Sequence, residues 1–484
     1  MLFNSVPFLL FFPLVVALHW VLPHRFRWLL LLVASYAFYM YWEPLYAVLI
    51  LTSTVVDWFV ALRIPAAEGR ARKGWLACSI AVNLGLLGAF KYYTMLVTTV
   101  SALLASVGVV WTPGETTLLL PVGISFYTFQ TLSYTVDVYR GTLQPERHLG
   151  RFALFVSFFP QLVAGPIERA GKLLPQLIAV RAWDTERAIG GLRLALWGMF
   201  KKVVVADHLA VFVDAVYDQP QLYGGPVIAL ATFVFTYQVY CDFSGYSDMA
   251  IGMARILGVE LSMNFDQPTL ARNVADFWTR WHMTLIGWFR DYVYFPLGGS
   301  RGSAGRTALN VLAVFALSGL WHGAAWHFVV WGAINGAYII VGRVTAGARS
   351  AVAQAVGLTR VPRVQAVWQW ASTVTIVYGS FIFFRAPDIP HALGMYARLP
   401  LGWTGLLDGG FFWRLAALVR IEPAILAMAL LLVPLTDAAE WVRRHPERFR
   451  NLPHWTLWLT DYALVFGILV LGRFAAQEFV YFQF

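Results

Sequence analysis

Charge is what this chain has least of. Asp, Glu, Lys and Arg make up 13% of its 484 residues, about half the share found in a soluble domain, which excludes an ordinary water-soluble globule. Cysteine is nearly absent. Cys78 and Cys241 both lie in or beside apolar runs, so a disulfide scaffold is excluded. Acids are scarcer than bases, 26 against 36, and the formal net charge is +10. The bases sit in short loops between apolar runs, as the positive-inside rule describes. No basic stripe with interleaved aromatics lies outside those runs, and nucleic-acid binding is excluded. The first apolar run has no basic segment before it, so Met1 to Val21 is expected as a first span rather than a cleaved signal. No repeat of 20 to 50 residues appears, which argues against a solenoid. No inverted repeat of the transporter kind is visible either.

Apolar length is what the chain has in abundance. Hydrophobic residues make up 59% of it, and runs of roughly 20 residues, enough to cross a bilayer as helix, recur throughout. Spans are expected at about Phe3 to Leu22, Trp28 to Trp42, Tyr46 to Leu62, Val367 to Phe384, Trp413 to Leu435 and Leu457 to Phe474. Trp75 to Trp111 reads as one long span with an interfacial helix, or as two spans. Three loops rich in arginine are expected on the cytoplasmic side: Arg63 to Lys73, Arg343 to Arg363 and Arg443 to Arg450. That arrangement puts Met1 outside. The stretches around Glu115, Asp214 to Pro226 and Asp408 suit the outer face. The aromatic share of 16% fits interfacial belts and helix seams in contact with membrane lipids.

The middle differs. Between Leu118 and Gly332 the apolar runs are short, and Pro, Gly and polar residues interrupt them at Pro121 to Gln130, Phe159 to Pro166 and Tyr240 to Asp248. Broken backbone at membrane depth is tolerated only where protein or a water-filled cavity satisfies it. The expected fold is therefore an all-α polytopic membrane protein. Its central third, about 118–332, forms re-entrant or half-spanning helices around a cavity, ringed by ordinary spans that include those of about 364–484. The whole of 1–484 reads as a single integral membrane domain.

Ten histidines are present, and seven lie in loops, at turns or near helix ends. The other three lie in the central region. Asn273 to Tyr292 can be drawn as one amphipathic helix, with Asn273, Asp276, Arg280, Thr284, Gly287 and Asp291 on one face. His282 falls on the opposite, aromatic face with Trp278, Trp281 and Trp288. A core role for it and a chemical one weigh equally on that pattern. His322 follows an apolar run, with Gly319 and Gly323 beside it, so other backbone or a substrate can approach. An ionisable side chain at that depth is a functional hypothesis by default. His327 would point about 140° away from His322 on a straight helix and is the weaker candidate. There is no His-Glu-x-x-His pattern and no thiol cluster, so no metal is expected. Gly298 to Gly302 lacks the Gly-Lys-Ser/Thr ending of a phosphate loop, although Arg301 and Arg306 could meet an anionic cofactor.

Together, Phe277 to Leu285, Trp288 to Tyr292, Phe295 to Gly299 and Ser318 to Gly323 resemble the signature of the membrane-bound O-acyltransferases, and most of all their bacterial alginate O-acetylation branch. Pro121 to Gln130, Phe159 to Ile167, Asp242 to Asp248 and Phe479 to Phe484 are similar to that branch too. The resemblance implies a ring of membrane helices thin at its centre, with cavities from both faces meeting near the histidines. It implies His322 as the principal catalytic residue and His282 as the second. It also implies an acetyl group taken from cytoplasmic acetyl-CoA towards an extracytoplasmic polysaccharide hydroxyl, across a bacterial inner membrane. A periplasmic acetyltransferase partner and polysaccharide machinery would receive it, and no permanently bound cofactor is implied. On that reading Trp278, Trp281, Trp321, Arg290, Asp291, Tyr127, Gln130, Asp242 and Tyr246 are expected to bind substrate, and Arg301 and Arg306 to bind acetyl-CoA. Acyl transfer needs a base for the hydroxyl and a donor for the oxyanion; His322 suits the first, and His282 or a nearby Trp N–H the second. Two other readings stand beside it: a carrier-protein thioester or other acyl donor on the same fold, and an exporter without chemistry.

Overall fold

A computed structural model describes residues 1–112, 120–449, 453–474 and 479–480. Glu115, Arg450 and the last four residues, which carried expectations above, lie outside the described residues. Among those described, all regular structure is helical, as it must be where no water is present to satisfy backbone groups. Seven described helices are long and apolar enough to cross a bilayer. The chain is a multi-pass membrane protein.

It falls into two compact units, one of residues 1–196 and 246–263, the other of 197–245 and 264–484. The first holds α1 (Val6–Val21), α2 (His24–Met40), α3 (Tyr46–Arg63), α4 (Gly69–Leu87), α5 (Tyr93–Ser106), α6 (Ile124–Arg140), α7 (Leu149–Ser157), α8 (Phe159–Leu162) and α9 (Ala170–Ile178). Helices α10 (Thr185–Phe200) and α12 (Gly225–Ile256) contribute residues to both units. The ambiguous stretch from Trp75 resolves as one helical run of 38 residues, Gly69–Ser106, with a wider π turn at Gly88–Tyr92 joining α4 to α5. Polar side chains hold three helices of this unit together. Asn83 of α4 donates to Asp57 of α3 at 2.8 Å, while Ser53 of α3 and Thr131 of α6 donate to Asn83 at 2.7 and 3.1 Å. In lipid, where apolar contact alone discriminates poorly, such bonds fix which helix packs on which.

The second unit adds α11 (Asp207–Asp218), α13 (Val274–Arg280), α14 (Met283–Phe289), α15 (Ala304–His322), α16 (Trp326–Val344), α17 (Ala346–Ala355), α18 (Pro362–Arg385), α19 (Ile389–Arg398), α20 (Phe411–Leu418), α21 (Pro423–Arg444) and α22 (His454–Leu471). Two expectations are corrected. The stretch Tyr240 to Asp248 is not broken backbone but the middle of the 32-residue α12. Its glycine serves close approach instead: a Cβ at Gly245 would lie 2.7 Å from the Gly198 carbonyl oxygen. The span expected over Trp413 to Leu435 is divided between α20 and α21. Arg420 turns left-handed with φ 55°, Ile421 N–H returns to the Ala416 carbonyl, and Pro423 restarts the helix at its first position.

Candidate active site

The single amphipathic helix expected over Asn273 to Tyr292 fails at its middle. It begins as drawn: Asn273 caps α13 by accepting the Asp276 N–H at 2.9 Å, and Arg280 pairs with Asp276 at 2.7 Å. Then residues 264–266 take the backbone groups that would have continued it. Asp266 N–H donates to the Arg280 carbonyl at 2.9 Å, and Met283 N–H donates to the Asn264 carbonyl at 2.8 Å. His282, caught between, adopts φ 44° and ψ 53°. A left-handed residue without a glycine's freedom costs roughly 1 kcal/mol or more. The kink lifts the imidazole out of the helical path while α14 resumes at Met283.

The segment that imposes this kink is itself clamped. Arg444, at the end of α21, donates to the Phe265 carbonyl at 2.7 Å and pairs with Asp266 at 3.1 Å. Glu440 holds Arg444 and Arg443, each at 2.7 Å, and accepts the Trp197 indole N–H at 2.7 Å.

His322 arrives from the other side as the last residue of α15. Helix α16 folds back directly after it. A Cβ at Gly319 would overlap the Phe328 carbonyl oxygen, and one at Gly323 the Phe328 ring. Of the two uses left open for these glycines, the structure shows backbone and ring approach from α16. The hairpin and the kink bring the two imidazoles together, with ring centroids 6.5 Å apart. Both are buried, His282 1% and His322 4% exposed.

Aromatic rings form the wall around them. Trp321 touches both histidines, at 5.8 and 5.0 Å. Trp331 and Phe384 pack edge-on against His322 at 5.2 and 5.4 Å, and Phe243 edge-on against His282 at 4.6 Å. Burial, and secondarily the neighbouring His322, hold the His282 imidazole well below its ordinary range, so it is neutral near pH 7. The indole N–H groups of Trp278 and Trp331 are buried and have no hydrogen-bond partner among the described residues.

The remaining expected residues take separate places. Trp278 and Trp281 belong to the wall, Trp278 against Trp331 and Trp281 against Phe381, at 5.6 and 5.7 Å. Arg290 and Asp291 pair with each other at 2.8 Å, with the Arg290 side chain 60% exposed. Arg301 and Arg306 are exposed beyond α14, where Ser303 caps α15 through the Arg306 N–H. Asp242 is bound to Lys202 at 2.7 Å and accepts the Val480 N–H at 2.8 Å. Tyr127, Gln130 and Tyr246 belong to the first unit. There Gln130 donates to the Phe155 carbonyl at 2.8 Å, and Tyr246 stacks on Phe3 at 4.5 Å. His327 bonds the Phe383 carbonyl through Nδ1 at 2.8 Å, the behaviour of a core histidine.

Sequence reasoning missed Asn264, Trp331, Phe384, Glu440, Arg444 and the buried pair Lys201 and Lys202. The lysines carried a readable signal: two charges inside an apolar run that ends at Asp207, with which Lys202 pairs at 2.9 Å. Arg444 and Asn264 carried none, because their roles depend on contacts distant in the chain.

Residues 146–384 match the model of the membrane-bound O-acyltransferase family. The chain is 38% identical to the probable alginate O-acetylase AlgI of Azotobacter vinelandii over 403 residues, covering 82% of this chain and 78% of that one. It is 35% identical to the protein of the same name from Pseudomonas putida, with both chains covered completely. Against the peptidoglycan O-acetyltransferase of Helicobacter pylori it is 35% identical over 395 residues, covering 76% of this chain and 72% of that one.

Proposed function

Because the chain belongs to the membrane-bound O-acyltransferase family, we propose that it takes an acetyl group from acetyl-CoA on the cytoplasmic side of a bacterial inner membrane. It passes that group towards a hydroxyl of an extracytoplasmic polysaccharide, with His322 as the base. The buried pair His282 and His322 carries this reading. Buried imidazoles within an aromatic wall suit proton abstraction, and the wall keeps water from the thioester. The names of the relatives, alginate O-acetylase and peptidoglycan O-acetyltransferase, support acetyl as the group and a glycan as the final acceptor.

In the proposed step the acceptor oxygen attacks the thioester carbonyl carbon as His322 removes its proton. The carbonyl becomes an oxyanion, which the unpartnered indole N–H of Trp331 or Trp278 stabilises. Collapse breaks the C–S bond, and the leaving CoA thiolate takes a proton back from the imidazolium. His282 positions the acceptor. Arg301 and Arg306 meet the phosphates of CoA, and a periplasmic acetyltransferase receives the group at the outer face.

The test is incubation of purified protein in lipid nanodiscs with acetyl-labelled acetyl-CoA and candidate acceptors, polysaccharides with and without a periplasmic acetyltransferase. Label should pass to an ester as free CoA accumulates, and His322→Ala protein should do neither. Turnover by a well-folded His322→Ala protein at the normal rate would end the proposal.

A further inference from the structure

Within the first unit, where α1 hands the chain to α2, a small cleft opens beside residues 176–181 and 257–259. Its charged and titratable lining consists of His19, His24, Arg27 and Arg181, with no carboxylate. The buried Lys202, by contrast, meets two acids, Asp207 and Asp242. Here two guanidiniums and two imidazoles converge without one.

Backbone contacts fix the arrangement. Arg27 donates to the Leu22 carbonyl at 3.2 Å and to the Arg181 carbonyl at 2.9 Å, and lies over the Trp20 ring at 4.9 Å. His24 bonds the Ile178 carbonyl through Nε2 at 3.2 Å. His19 is 6% exposed, and the Nδ1 atoms of both His19 and His24 have no hydrogen-bond partner among the described residues. Buried polar atoms are normally satisfied, so such a pair beside two arginines points to a ligand. With Nε2 of His24 already given to a carbonyl, its Nδ1 donates to an anion in the doubly protonated ring, the form a bound phosphate favours.

The cleft's position narrows the chemistry. It lies at the junction of α1 and α2, and the exposed residues Val21, Val180 and Trp183 are close in sequence to its lining. Trp183 packs edge-on against Trp20 at 5.5 Å. Exposed apolar residues with tryptophan beside arginine mark the interfacial depth, where headgroup phosphates lie. Arginine forks match the oxygens of a tetrahedral oxyanion. We propose that this cleft binds a phosphate group, either the headgroup of a phospholipid or a phosphate ester entering from water.

The test uses the full-length protein in detergent free of phosphate and added lipid. Inorganic phosphate is titrated by calorimetry, and native mass spectrometry records any phospholipid retained. Retained phospholipid that phosphate does not displace identifies the headgroup. Saturable phosphate binding without retained lipid identifies the free ester. In either case Arg181→Gln should weaken binding at least about tenfold, the loss expected for one charge-assisted pair, and Arg181→Lys should keep most of it. His24→Gln, whose amide still donates to Ile178, should weaken binding too, and decides the matter if Arg181→Gln does not fold. Wild-type protein that neither binds phosphate saturably nor retains phospholipid would overturn the proposal. So would both neutral variants binding as wild type does.

Discussion

The imidazoles of His282 and His322 lie 6.5 Å apart, centroid to centroid, and the Trp321 indole packs against both. One histidine stands on a left-handed kink between two short helices, the other at the tip of a helical hairpin. Their separation therefore depends on two independent pieces of backbone.

His322→Ala should leave a monodisperse protein and lower acetyl transfer by roughly 10²–10⁴-fold, the usual cost of losing a general base. His327→Ala should behave in the opposite way. It removes the bond to the Phe383 carbonyl and should cost about 1 kcal/mol of stability, with little change in turnover by the protein that remains folded. Thermal melts and turnover measured together separate the two. Equal loss of stability in both variants would assign His322 to structure.

The backbone at His282 separates its two contributions. Asn tolerates left-handed φ better than Ala does. His282→Asn should therefore fold more stably than His282→Ala, by about 1 kcal/mol, while both lose the imidazole and its share of the rate. If the two variants melt together, the kink has relaxed and costs nothing.

Acid should act on stability through the same residue. The folded protein holds His282 below its ordinary pKa of about 6.5, so below that pH the unfolded chain takes up a proton that the folded one refuses. Stability is fully present above pH 6.5 and declines as pH falls further, by up to about 1.4 kcal/mol per unit. The Tm gap between wild type and His282→Asn should thus shift against wild type between pH 7.5 and 5.5. Parallel Tm curves would refute this.

Gly319→Ala should destabilise by about 1–3 kcal/mol, because its Cβ would overlap the Phe328 carbonyl and force α15 from α16. Gly347→Ala, where a Cβ meets open space on helix α17, should be neutral or slightly stabilising. Thermal denaturation of both in detergent provides the comparison.

The arginine loops make a topological prediction. Arg349→Cys should resist a membrane-impermeant thiol reagent added to intact cells, since Arg343 to Arg363 is expected inside. Labelling from outside would reverse the orientation.

What was legible in the sequence followed from local composition. Apolar length marked α3, α18 and α22 within a few residues. The apolar run before His322 and the glycines on either side marked that histidine, while His282 was singled out by the family resemblance; the structure places the two together. What was not legible depends on distant partners. No pattern in Asn273 to Tyr292 announces that residues 264–266 will break its helix, because the instruction arrives from Arg444 on α21. The continuity of α12 was hidden for a similar reason. Gly245 reads as a breaker until the Gly198 backbone beside it is seen. Pro423, by contrast, was available as a signal that α20 and α21 are separate.

The unbroken run Gly69–Ser106 sets a condition on the lipid rather than on the chemistry. Its 38 residues extend roughly 57 Å at the helical rise, while the hydrocarbon core of a bilayer is about 30 Å thick. A rod that long cannot stand upright with both ends at the interface. Its basic first turns, Arg70 to Lys73, can stand in water, and the rest must tilt or bend at the π turn of Gly88–Tyr92, where Lys91 reaches Ser125 of α6 at 3.3 Å. Thinner membranes demand more tilt and thicker ones less. Lys91 and the polar contacts of Asn83 join this rod to α3 and α6, so those are the helices on which a change of tilt would bear first.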